Sequence, residues 1–76
     1  MNNKRRELLR LASGLLSKAS DYVSQALDGE QDSLDNMPEN LQYSEKCEKM
    51  EAAVENLEGA LENIDNAKDY ISNAVE

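Results

Sequence analysis

Ala53-Val54-Glu55-Asn56-Leu57-Glu58-Gly59, Ala60-Leu61-Glu62-Asn63-Ile64-Asp65-Asn66, Ala67-Lys68-Asp69-Tyr70-Ile71-Ser72-Asn73 and Ala74-Val75 are successive turns of one seven-residue pattern. Cys47, Val54, Leu61, Lys68 and Val75 occupy its first apolar position, and Met50, Leu57, Ile64 and Ile71 its second. A strict seven-residue repeat drifts by about 20° per heptad on a straight helix, so a seam that stays in contact requires left-handed supercoiling. Ala53, Ala60, Ala67 and Ala74 form a small-residue column beside that seam. Such a column permits close approach of another helix.

The N-terminal half repeats with the same step. Leu8-Leu9-Arg10-Leu11-Ala12, Leu15-Leu16-Ser17-Lys18-Ala19 and Tyr22-Val23-Ser24-Gln25-Ala26 each place two large apolar residues three positions before an alanine. With Leu11, Leu27, Leu34 and Met37 they cover an arc of about 160° on a helical wheel. That is wider than a two-stranded seam, and implies a helix with more than one neighbour.

Pro38 separates the halves. It lacks an N–H and moves Met37 out of helical geometry, so the first helix should end near Asn36. Ser44 is a good N-cap, and Glu45 and Glu48 suit the helix dipole in the turn that follows. The reading is helices near 4–36 and 44–75 joined by a turn at 37–43, each helix about 48–50 Å long. The fold class is all-α: an antiparallel two-helix hairpin in a single domain spanning 1–76. A chain of 76 residues buries only about 60% of its unfolded surface, so a lone core is marginal. Pairing two hairpins into a four-helix bundle would relieve that shortage, and a homodimer is expected.

Composition narrows the chemistry. There is no His and only one Cys, which removes an imidazole base, a Ser-His or Cys-His nucleophile pair, a disulfide framework within the chain and the usual zinc sites. Paired carboxylates alone do not make an acid/base catalyst, because they need a pocket that separates their pKa values. The expectation is a non-enzymatic protein with no cofactor and no metal. Asp28, Glu30, Asp32 and Glu39 imitate a calcium loop, but Ser33 stands where glycine is required and Asp35 where an apolar residue is. No apolar run approaches the roughly 20 residues of a membrane span. The basic start is not followed by a continuous apolar core or a small-residue cleavage site, so a cytoplasmic location is expected. The lone thiol of Cys47 suits a reducing compartment and a core position.

The net charge of −8 is unevenly placed. Residues 1–18 hold Lys4, Arg5, Arg6, Arg10 and Lys18 against Glu7, a net of +4; residues 19–76 hold three bases against fifteen acids, a net of −12. An acidic chain with three tyrosines as its only aromatics would suggest disorder, were it not for the heptads. Glu51, Glu55, Glu58, Glu62, Asp65 and Asp69 are spaced by four, three, four, three and four residues, which places them on one ridge of the second helix. Like charges at these spacings oppose helix formation. The ridge is read either as a solvated face or as a docking surface for a cationic partner, a basic protein groove that normally holds nucleic acid or the basic N-terminus of another copy. Lys4, Arg5, Arg6 and Arg10 form the candidate basic patch. Arg6 and Arg10 are expected to share a face away from the apolar stripe, with Asp65, Asp69 and Glu76 offsetting their charge across the hairpin. Five bases without interleaved aromatics argue against nucleic acid as the partner. Tyr22 is expected to pack in the stripe with its hydroxyl at the rim, Tyr43 to cover the turn, and Tyr70 to lie off the seam.

The segment Asp35-Asn36-Met37-Pro38-Glu39-Asn40-Leu41-Gln42-Tyr43-Ser44-Glu45, continuing to Met50-Glu51-Ala52, resembles a stretch found in short acidic proteins of Gram-positive phages and mobile elements. The match runs through Pro38, Leu41, Gln42, Ser44, Glu45 and Met50; Cys47 stands where those proteins commonly have glycine, and the first helix is only loosely similar. The resemblance implies a mobile-element origin and an accessory or anti-defence role. It carries no site residues with it.

Overall fold

A computed structural model describes all 76 residues and contains two long helices, α1 (Asn3–Asp35) and α2 (Glu45–Val75), packed against each other as a hairpin. The rod measures 59 × 15 × 13 Å between Cα extremes. Neither helix is long and apolar enough to cross a membrane.

Local chemistry sets the helix ends. Asn2 caps α1, its Oδ1 accepting from the Arg5 N–H at 2.9 Å, so the helix starts one residue before the expected position. At the other end the Asn36 side-chain amide donates to the Asp32 carbonyl at 2.8 Å, and the Met37 N–H donates to Leu34 O at 3.1 Å. Pro38 then takes an extended ψ of 146° and the chain leaves the helix. The span expected as a turn, 37–43, holds a single 3-10 turn, Glu39–Leu41, closed by Leu41 N–H to Pro38 O at 2.9 Å. Residues 28–35 are continuous helix rather than a loop, so the calcium-loop spacing does not correspond to a loop here.

Ser44 links the turn to α2. Its hydroxyl donates to the Leu41 carbonyl at 2.6 Å and accepts from the Cys47 N–H at 3.2 Å, while its own N–H reaches Leu41 O at 3.1 Å. Removing the hydroxyl orphans one N–H and loosens the turn. Ser44→Ala is expected to lower stability by about 1 kcal/mol, read by urea unfolding followed by circular dichroism. An unchanged midpoint would mean that the cap contributes nothing.

The α2 seam is as the heptads place it. Cys47 and Val54 are buried, and Met50, Leu57, Leu61, Ile64, Lys68, Ile71 and Val75 are half-buried. Lys68 is half-buried at its seam position, a placement that a long aliphatic stem with a charged tip tolerates. On α1 the half-buried line is Leu9, Ser13, Leu16, Ser20, Val23, Leu27, Glu30 and Leu34, again alternating steps of four and three. The broad apolar stripe of α1 is therefore split. One side meets α2, whereas Leu8, Leu11, Leu15 and Tyr22 remain 51–69% exposed.

Two tyrosine expectations are corrected by this arrangement. Tyr22 is 63% exposed because it shares a column with Leu8 and Leu15, one residue before the seam column Leu9, Leu16, Val23. Tyr43 is 94% exposed and covers nothing, since the 3-10 turn and Ser44 close the connection without it. Tyr70 is 76% exposed and off the seam.

Candidate functional site

Two helices in an antiparallel pair meet along their seams, and each broad side of the pair then combines the matching flanks of both. The grooves show which flanks match. At the open end, Arg6, Leu9, Arg10 and Ser13 line a groove with Ile71, Ser72 and Val75, so Arg10 lies alongside Ser72. The column of Arg10, Ser17, Ser24 and Gln31 thus runs beside the column of Glu51, Glu58, Asp65 and Ser72. Near the turn Leu34, Gln42, Tyr43, Cys47 and Glu51 line a second groove on that side. This is the ridge face of the hairpin.

All six ridge carboxylates, Glu51, Glu55, Glu58, Glu62, Asp65 and Asp69, are exposed. None forms an ion pair. The two ion pairs in the molecule are local, Arg10 with Glu7 and Lys49 with Glu45 at 3.4 Å. The ridge is consequently an unneutralised line of negative charge lying across serine and glutamine side chains of α1.

The basic residues behave differently from expectation. Lys4, Arg5, Arg6 and Arg10 are all exposed, but successive residues turn by about 100°, so they fan around α1 instead of forming one patch. Arg6 and Arg10 do not point away from the packed side, because both line the groove beside Leu9 and Ser13. Asp65, Asp69 and Glu76 do not pair with them. What lies opposite the two arginines is Ser72 and Val75, and Arg10 turns to its own helix, its Nε donating to a Glu7 carboxylate oxygen at 3.0 Å. That hydrogen bond holds the Glu7 carboxyl below the usual range and raises the Arg10 guanidinium further. The first turn of α1 has no acidic residue, so the dipole penalty of its bases stands.

Cys47 is 3% exposed and sits between the turn and the ridge. Burial raises its thiol pKa first, and the Glu51 carboxylate, which accepts from Sγ at 3.6 Å, and the charge of Glu48 raise it further. A thiol held protonated this way is a poor nucleophile. It serves the core.

Comparison of the chain with models of known families, with curated proteins and with solved structures found no match.

The opposite broad face carries the apolar surface that the wide stripe of α1 and the alanine column of α2 were expected to leave uncovered in a single hairpin. It joins the Leu8, Leu15, Tyr22 column and the Ala12, Ala19, Ala26 column of α1 to the alanine column of α2, with Tyr70 at its margin. The signal lies in the doubled apolar pairs, Leu8-Leu9 and Leu15-Leu16, since two adjacent residues on a helix cannot face the same neighbour.

Proposed function

We propose that this protein is a non-enzymatic, homodimeric helical hairpin that acts in the host cytoplasm as a protein-binding accessory factor of phage or mobile-element type. Its target is a basic protein surface, such as the groove of a host nuclease or other defence enzyme, and its acidic ridge imitates the charge that groove normally receives. The observation that carries this reading is the ridge itself: six exposed carboxylates on one side of a single helix, without a cation to neutralise them. Evenly mixed charge would solubilise a hairpin as well and would not weaken the helix. A single-sign line steers association with a cationic partner at low ionic strength.

Co-purification from the natural host with mass-spectrometric identification names the partner. Glu55→Lys, Glu58→Lys and Glu62→Lys combined should then reduce capture of that partner by at least about 100-fold, while helix content holds or rises because like-charge contacts are removed. Undiminished capture by the triple variant would exclude the ridge as the docking surface. The competing reading is a purely structural oligomerisation module whose acids only solvate it, and the exposure of the ridge suits that reading too. It predicts that the protein captures nothing except itself.

A further inference from the structure

The hairpin has very little interior. Cys47 and Val54 are its only buried residues, yet Leu8, Leu15 and Tyr22 lie open along one column of α1 at 58%, 69% and 63% exposure. Those three side chains and the alanine column of α2 occupy the same broad face, the one turned away from the ridge. Tyr70, at 76% exposure, stands on that side near the open end.

The distribution of charge says what this face meets. After Glu45, α2 carries Glu48, Glu51, Glu55, Glu58, Glu62, Asp65 and Asp69, and every one falls on the ridge side of the seam. The columns on the opposite side and the outer edge are Ala, Asn, Gly and Tyr, with Lys46 and Lys49 next to the turn. The corresponding columns of α1, from Met1 to Gly29, likewise contain no carboxylate. In a chain of net charge −8, this is the one broad face on which two copies can approach without acid–acid repulsion, its own cations Arg5, Lys46 and Lys49 being confined to its two ends. The face runs along a rod whose Cα atoms span 59 × 15 Å, a footprint on the scale of the about 800 Å² per partner that a stable interface buries.

We infer that a second copy of this chain covers the face, Leu8, Leu15 and Tyr22 of each hairpin packing onto the other across a two-fold axis to complete a four-helix bundle. The alanine columns let the two layers approach closely, and the open leucines become the core that a single hairpin lacks. Both acidic ridges then lie on the outside, on opposite sides of the assembly. The inference specifies the self-association proposed above and is independent of what the ridge binds.

Sedimentation equilibrium of the full chain at micromolar concentration should give twice 8.5 kDa. Ala60→Glu and Leu15→Glu, each placing a carboxylate on the cleared face, should return the mass to that of one chain, whereas Glu58→Gln on the ridge should leave the dimer intact. Because a separated hairpin could also lose its fold, a second measurement uses the folded dimer. Single-tyrosine variants retaining Tyr22, Tyr70 or Tyr43 are quenched with acrylamide. Tyr22 and Tyr70 should be quenched less than Tyr43, because a packed interface core excludes the quencher. A wild-type monomer, a dimer that survives Ala60→Glu, or a dimer in which Tyr22 and Tyr70 quench as readily as Tyr43 would each overturn the inference. None of those results bears on capture by the ridge.

Discussion

Val54→Asp is expected to unfold the hairpin. Val54 is one of two buried side chains, at 8% exposure, and no basic side chain forms an ion pair nearby to receive a carboxylate. Glu51 and Glu58 lie three residues before it and four after it, so the new charge would also face like charges along its own helix. Placing an unpaired charge in such a site costs more than about 3 kcal/mol. A chain of this length has roughly 4–11 kcal/mol in total. Far-ultraviolet circular dichroism should show most of the helical signal gone at room temperature. Val54→Ala separates charge from size, since loss of two buried carbons costs about 2 kcal/mol and should leave a folded protein with a lower melting point. A Val54→Asp protein that melts within a few degrees of the wild type would mean that the seam between α1 and α2 does not hold the fold.

Gly14→Ala, Gly29→Ala and Gly59→Ala combined are expected to act in the opposite direction. All three glycines are inside helices with negative φ, and a Cβ built on any of them meets nothing within 4 Å. None is needed for a turn or a close approach within the hairpin. Each replacement then recovers helix propensity and removes freedom from the unfolded chain, worth roughly 0.5–1 kcal/mol. The sum of about 1.5–3 kcal/mol should raise the melting temperature by about 6–24 °C in a protein this small. Stabilisation should be additive because the sites lie fifteen or more residues apart. A loss at Gly29 or Gly59 alone would show that this position is approached by another chain.

The two helices differed in how much could be read before folding. The seam of α2 was legible because its two large apolar columns repeat every seven residues, with acids along one flank and small alanines along the other. Ser44 and Pro38 announced the connection for equally local reasons, a side-chain acceptor and a missing N–H. The 3-10 turn at Glu39–Leu41 was not announced; it is closed by the Leu41 N–H to Pro38 O and the Gln42 N–H to Glu39 O, bonds that residue type alone does not specify. α1 was legible as a helix but not in its orientation. Leu8 and Leu9 are equally apolar, so residue type could not say which column faces α2. Arg6 and Arg10 were misplaced for the same reason, because their position depends on where α2 lies.

What the sequence determined alone was everything governed by spacing along one helix: two helices, the Pro38 stop and the Ser44 cap, the ridge of six acids, and an apolar stripe too wide for one partner. Those properties follow from a rotation of about 100° per residue and require no second element. What only the tertiary structure decided was how the stripe divides. Contact between α1 and α2 took Leu9, Leu16 and Val23 into the seam and left Leu8, Leu15 and Tyr22 outside it. It also set the acids on one broad side and the open leucines on the other, since antiparallel packing brings matching flanks of the two helices together.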